Sequence, residues 1–325
     1  MKTKSYLHLL VILSTFCLFG CNTREQNSSL KSDSFTIAVL PDTQYYSEKY
    51  PDNFSAQTNW IAENASELKL LCVIHEGDVV NKNVEYQWQN ADKAISILDQ
   101  AKIPYCIAIG NHDCFNYKTR TINSDNFNKY FGTKRIGGKK WYGGSLDNKS
   151  ENSYYLFEAK GKKILVMCLE FGPRDEVLDW ANQIASKYAD RNIIVVTHGY
   201  MNNDDTRLSP GDNHNPHDYV KELNDGEDMW EKFVRKHNNI FLVLSGHVVG
   251  DGNGRLTSYS DGNTKVTQIL ANYQMKENGG NGWLRLMKFV PAEDRIIVET
   301  YSPVLKNYNN DPNDCFVIED VGIDR

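Results

Sequence analysis

Five apolar runs of strand length in this chain each give way to a polar residue of a kind that binds metal ions. Thr36 to Leu40 leads into Pro41-Asp42-Thr43-Gln44, and Leu70 to Ile74 leads into Gly77-Asp78-Val79-Val80-Asn81. Tyr105 to Ile109 leads into Gly110-Asn111-His112-Asp113, Ile193 to Val196 into Thr197-His198-Gly199, and Ile240 to Leu244 into Gly246-His247-Val248-Val249. Strand ends gathered on one edge of a sheet can build a single pocket from residues far apart in sequence. Two carboxylates, two imidazoles and an amide at such ends are the donor types that suit divalent cations. The turn formers around them explain each segment singly, because Gly-Asp after a strand is ordinarily a turn. Only their joint occurrence points to chemistry.

The segments between these runs have the periods of a layered α/β chain. Tyr50 to Leu68 is helical in character, with Phe54, Trp60, Ile61 and Leu68 available for one face. Trp88, Ala91, Ile95 and Leu98 make an apolar stripe on a helix from about Glu85 to Ala101. Ser153 to Ala159 and Lys163 to Leu169 read as strands around a Lys160-Gly161 turn, followed by a helix near Asp175 to Tyr188. Residues Cys114 to Asn152 are expected to form an insertion over the pocket. The polar connection from Tyr200 to Asn224 is long enough to be a functional lid. A short helix, Gly226 to Lys236, precedes the fifth run, and four more strands close the chain: Arg255 to Ser260, Val266 to Asn272, Trp283 to Val290 and Ile296 to Tyr301.

The order and spacing of the five polar segments resemble the calcineurin-like metallophosphoesterase superfamily, from about Phe35 to Tyr301. The resemblance implies a four-layer α-β-β-α sandwich, two mixed sheets flanked by helices, over residues 35–325. It also implies a metal-dependent hydrolase of phosphoric mono- or diesters, working through a dinuclear centre (Mn, Fe, Zn or Mg) with a bridging hydroxide. Carried across, Asp42 would ligate the first metal and Asp78 both, while Asn111, His198 and His247 would complete the second. His112 would be the acid beside the leaving group, its ring fixed by Asp113. Paired cations about 3.5–4 Å apart neutralise the phosphoryl oxygens for in-line attack.

Two positions depart from the family pattern. Gln44 stands where His is usual, and Val249 where the second His of Gly-His-x-His is usual. The first metal is left with Asp42, Asp78 and Gln44, with Asp251 or water as substitutes, so the second metal is expected to bind more tightly. A different class of reading follows from the same departures, namely a ligand-binding lipoprotein with a degenerate mononuclear site. A carbohydrate-binding surface protein is a weaker third, resting only on 18 Tyr and 6 Trp. For substrate contact, Tyr200, Arg207, His214 and His217 on the long loop and Asn272 after a strand are candidates, toward a phosphorylated small molecule or glycan.

Composition narrows the classes. In 325 residues, 40% are hydrophobic and 24% charged, as in a globular protein with a substantial core. A net charge of −6 and the lack of a basic run leave no footprint for nucleic acid. Lys2 and Lys4 precede an apolar stretch from Leu9 to Phe19 that ends in Leu18-Phe19-Gly20-Cys21, which resembles the lipobox of bacterial lipoproteins. The expectation is a signal peptide over 1–20, lipidation at Cys21, a flexible tether over 21–34, and an exported protein held to the cell envelope by acyl chains alone. Of the remaining cysteines, Cys72, Cys106 and Cys168 lie inside apolar strands, and no Cys-x-x-Cys pair suggests structural zinc.

Overall fold

A computed structural model describes residues 34–323; the signal peptide, Cys21 and all but the last residue of the tether lie outside the described residues. Sixteen strands are described. In chain order they are β1 Phe35–Leu40, β2 Leu70–His75, β3 Tyr105–Ile107, β4 Phe115–Asn116, β5 Thr121–Ile122, β6 Tyr142–Ser145, β7 Ser153–Ala159 and β8 Lys162–Cys168. They continue as β9 Asn192–Val196, β10 Ile240–Ser245, β11 Asn253–Tyr259, β12 Lys265–Ala271, β13 Leu284–Val290, β14 Arg295–Ser302, β15 Asn307–Asn309 and β16 Phe316–Ile318. Sheet I runs β15-β14-β13-β1-β2-β3 with β16 also on β14, and sheet II runs β11-β12-β10-β9-β8-β7-β6. Both are mixed. β1, β2 and β3 are parallel, as are β8, β9, β10 and β12, with antiparallel strands completing each sheet. This is the layered α/β architecture expected from the sequence.

Strand alternation builds the layers. In sheet II, Ile164, Val166, Cys168, Ile194, Val196, Leu242 and Leu244 share one core with the residues of sheet I. Their neighbours Leu165, Met167, Ile193, Val195 and Val243 face the other way, against Val177, Leu178, Ala181 and Ala185 of the helix Asp175–Lys187. Successive side chains of a strand point to opposite faces, so a strand covered on both sides must be apolar throughout. That is why these strands are unbroken runs in the sequence. Within sheet I Phe289 stacks on its partner Phe35 at 4.8 Å, and across the core it meets Phe241 of sheet II at 6.4 Å.

The outer layer on sheet I consists of α2 (Pro51–Leu68) and α3 (Glu85–Gln100), preceded by a short α1 (Gln44–Lys49) that the sequence reading did not separate from the loop. The α3 stripe is buried as its spacing predicts, with Trp88 fully enclosed. Residues 114–152 hold the β4–β5 hairpin and two short helices, and they also supply β6 to the edge of sheet II, a strand hidden in the sequence by Gly143-Gly144. No helix among the described residues is long and apolar enough to cross a membrane.

Trp88 also donates from Nε1 to Asn83 Oδ1 at 2.8 Å and packs against Phe127, Tyr130 and Phe131 of the insertion. Trp88→Ala is expected to cost about 3–5 kcal/mol, read as a lowered urea midpoint with an unchanged slope.

Candidate metal centre

The parallel strands of the two sheets deliver their polar followers to one place. His198 Nε2, after β9, lies 3.1 Å from Asp78 Oδ2, after β2, and 3.8 Å from Asp42 Oδ1, after β1. The backbone N–H of His247, after β10, donates to Asp42 at 3.3 Å, and that of His112, after β3, donates to Asp78 at 2.9 Å. Ligand atoms of Asp78, His198 and His247 all fall within 4.8 Å of one another. Close approach of the loops requires glycine at two points. A Cβ on Gly246 would stand 2.3 Å from Asp42 Oδ2, and one on Gly77 (φ +102°) 2.7 Å from the His198 ring. Asp78 and His247 themselves have φ of +51° and +72°, left-handed values held at a cost by the surrounding structure.

Backbone carbonyls settle the imidazole tautomers, because a carbonyl only accepts. His198 Nδ1–H donates to Glu76 O at 2.9 Å, which leaves Nε2 as the ring atom facing the two carboxylates. His247 Nε2–H donates to His214 O at 2.8 Å, which leaves Nδ1 for the cluster. Such outer hydrogen bonds orient metal-binding histidines. Nε2 of His198 is buried with no hydrogen-bond partner, and so are Asn111 Oδ1 and Gln44 Oε1. Asp42 and Asp78 are buried as well.

The electrostatics make the same demand. Burial, with Asp78 adding to it, pushes the Asp42 carboxyl up to about 7 against the pull of His198. Burial also opposes ionisation of Asp78, but His198 and His112 outweigh it and hold this carboxyl well below the usual range. Desolvation alone would depress His198, yet Asp78 and Asp42 raise it to about 10. Desolvation, aided by His198, lowers His247 to about 3. Among the described residues neither Asp42 nor Asp78 has a lysine or arginine partner. Buried carboxylates need a compensating cation, and this donor set of carboxylate, imidazole and amide oxygen fits divalent metal ions. The fit is better where Asp78, Asn111, His198 and His247 meet than where Asp42, Asp78 and Gln44 meet, since Val249 supplies no donor.

Several expected roles are corrected. Asp113 does not orient the His112 ring: its carboxylate accepts the backbone N–H groups of Gly110 (2.8 Å), Val80 (2.9 Å) and Val79 (3.2 Å), pinning two loops together. The ring is held instead by Asn81, whose carbonyl lies 2.8 Å from Nδ1. Asp251 accepts from Asn253 N at 3.1 Å on an exposed turn, outside the cluster, and does not replace the missing histidine. Tyr200 is fully buried in the outer core, its hydroxyl donating to Gln268. Arg207 is spent on Ser258, Gln268 and Glu227 and lies over the Trp230 ring, so neither Tyr200 nor Arg207 faces the centre. His214 contributes its carbonyl to His247, with its ring edge-on at 5.8 Å. Asn272 is buried, accepts from Gln274 N and leaves Nδ2 without a partner.

His217 belongs to a separate group. Its Nε2 lies 3.0 Å from Asp228 and 3.4 Å from Asp225, and both acids cap the helix Gly226–Lys232. Nδ1 donates to Lys221 O, so an imidazolium pairing with two cap carboxylates accounts for the cluster and anchors the end of the long loop.

Phe171, Tyr117 and Tyr219 had no role expected from the sequence, and Gln274 was expected only as part of a pocket wall with Asn272 and Tyr273. Phe171 lies 5.0 Å from His247 and 6.0 Å from His198, and Gln274 takes the amide nitrogen of Gln44. Tyr117 and Tyr219 both reach Asn111. The two tyrosines sit on irregular loops where no period marks a direction.

The calcineurin-like phosphoesterase profile matches residues 35–276. The chain belongs to the calcineurin-like phosphoesterase family. A relative, the uncharacterized protein YvnB of Bacillus subtilis strain 168, is 36% identical over 289 residues, which is 87% of this chain and 21% of that protein. The chain thus spans about a fifth of that relative's length. Among solved structures, the purple acid phosphatase PPD1 of yellow lupin (Lupinus luteus) seeds shares the fold, with a TM-score of 0.53 at 13% identity over 89% of this chain and 55% of that one. The NAD nucleotidase NadN of Haemophilus influenzae gives a TM-score of 0.43 at 11% identity, over 88% of this chain and 49% of the other.

Replacing Asp113 by Ala leaves three buried N–H groups without acceptors, each worth about 1–3 kcal/mol. Asp113→Ala is expected to lose several kcal/mol in denaturant unfolding, a structural loss separable from any change at His112.

Proposed function

We propose that this phosphoesterase family member hydrolyses phosphoric esters of phosphorylated small molecules or glycans with two divalent cations (Mn, Fe, Zn or Mg). The observation that carries the reading is the meeting of Asp78, His198 and His247 within 4.8 Å, with Asp42 beside them, no lysine or arginine on either carboxylate, and the buried Gln44 Oε1 and Asn111 Oδ1 without partners. Asp78 would serve both cations, a role supported by its contacts to His198 Nε2 at 3.1 Å and to the His112 N–H at 2.9 Å. When bound, the cations supply Lewis acidity toward phosphorus and activate water.

The chain's own residues do the rest. His112 lies partly exposed, its Nδ1–H donating to Asn81 O, which fixes the ring and leaves Nε2 as the atom available to the departing oxygen. Glu76 O and His214 O hold His198 and His247 in the tautomers that offer lone pairs inward. Phe171 packs against both rings and keeps water from their flanks. Gln44 and Val249 leave one cation position with fewer protein donors than the other, so the two should differ in affinity. The binding-only reading is less favoured, because His112 is oriented for proton transfer and binding needs no such group. Lys2, Lys4, the apolar stretch to Phe19 and Cys21 support an exported, lipid-anchored location.

Hydrolysis of p-nitrophenyl and bis-p-nitrophenyl phosphate, with and without Mn²⁺, tests the proposal. Wild type is expected to turn over at least one of them in a metal-dependent way, and Asp78→Asn to lose that activity; equal rates for the two proteins would refute it. His112→Ala should slow a poor leaving group such as a simple alkoxide by about 10²–10⁴-fold and p-nitrophenolate far less. A uniform loss across leaving groups would remove His112 from the acid role.

A further inference from the structure

The two ends of the Asn111 carboxamide have different surroundings. Nδ2 donates to Tyr117 Oη at 2.8 Å and lies 3.5 Å from Tyr219 Oη, while Oδ1 is buried with no partner. A carboxamide presents a similar outline after a half-turn, so its hydrogen bonds decide which end faces inward. The rings of Tyr117 and Tyr219 lie beside each other, with centroids 6.1 Å apart. Tyr117 Oη accepts the amide N–H, and a second phenol oxygen beside it gives the same nitrogen another acceptor. The amide oxygen is thereby left pointing away from the phenols.

These phenols come from two loops. Tyr117 is on the β4–β5 hairpin and is 55% exposed, and Tyr219 ends the short helix Pro216–Tyr219 in the long polar loop. Arg120, on the same hairpin, donates from Nη2 to the carbonyls of Asp218 at 2.6 Å and Tyr219 at 2.7 Å. Phe115 packs edge-on against Tyr117 at 5.0 Å and Tyr219 at 5.2 Å. Phe171 then joins Tyr219 to His247, with ring centroids 5.0 Å apart in each pair.

We propose that Tyr117, backed by Tyr219, is the positioning residue that turns the Asn111 oxygen toward Asp78, His198 and His247, and that Arg120 is the tie that keeps the two phenols together. The proposal rests on the metal-dependent reading above. It makes the exposed hairpin a determinant of cation affinity at the better-furnished position. A phenol in the same place that touched only substrate would affect turnover and leave cation binding alone.

The test is Mn²⁺ binding by the purified full chain, measured in competition with a chromogenic chelator. Tyr117→Phe is expected to weaken the tighter Mn²⁺ site by about 10–100-fold, the range seen when an outer partner of a ligand is lost. Tyr219→Phe should weaken it less, and Arg120→Ala should weaken it with both phenols intact. Tyr259→Phe, a similarly exposed tyrosine on β11, should bind as wild type. The rate lost in Tyr117→Phe should return as Mn²⁺ is raised. Wild-type Mn²⁺ affinity in Tyr117→Phe overturns the proposal, whether or not its rate falls, and so does a rate deficit that persists at saturating Mn²⁺. Failure of the underlying reading has a different signature: Asp78→Asn would then retain wild-type Mn²⁺ affinity.

Discussion

Two buried carboxylates with no lysine or arginine beside them depend on a single imidazole for compensation, and a cation entering among them would relieve both. Asp42, Asp78 and His198 stand in that relation, and the surrounding structure is organised to hold them there. The carbonyl of Glu76 prevents the ring from turning its N–H inward, and the glycines at 77 and 246 let the two sheets bring their loops within contact. Removing a charge from water costs several kcal/mol without compensation. The native state accepts that cost at a site where bound metal reverses its sign.

Holding the centre is chiefly the work of backbone groups. Asp113 gathers three N–H groups, Asn81 offers a carbonyl to His112, and His214 offers one to His247. None of these depends on a long flexible side chain, so the orientation of each ring follows from the path of its loop. Left-handed φ at Asp78 and His247 belongs to the same economy of means: the chain is bent sharply so that consecutive residues can serve opposite sides of the centre.

Much of this was legible beforehand, and the reason is physical. Strands buried on both faces must be apolar without interruption, so β1, β2, β9 and β10 stand out, and a polar residue at their ends has no packing reason to be there. Asp42, Asp78, His198 and His247 could therefore be read as a set. Asp113, Tyr200 and Arg207 were misread because sequence reveals that a polar residue exists, not which way it faces. Arg207 and Tyr200 look available on a polar loop, yet both turn into the outer core around Gln268. Tyr117 and Tyr219 lie in segments with no period, and their convergence on Asn111 depends on how two loops meet in space. β6, β15 and β16 escaped notice because they are short edge strands rich in Gly, Asn or Asp neighbours.

The strand order of sheet I carries a further consequence. β1 lies between β2 and β13, with Phe35 paired to Phe289, so the first described strand is completed by one made near the end of the chain. Non-local pairing of this kind slows folding, because loop closure must precede any gain from contact. One flank of β1 therefore stays open during synthesis until more than two hundred intervening residues have emerged, and a nascent chain exposes a hydrogen-bonding edge throughout that interval.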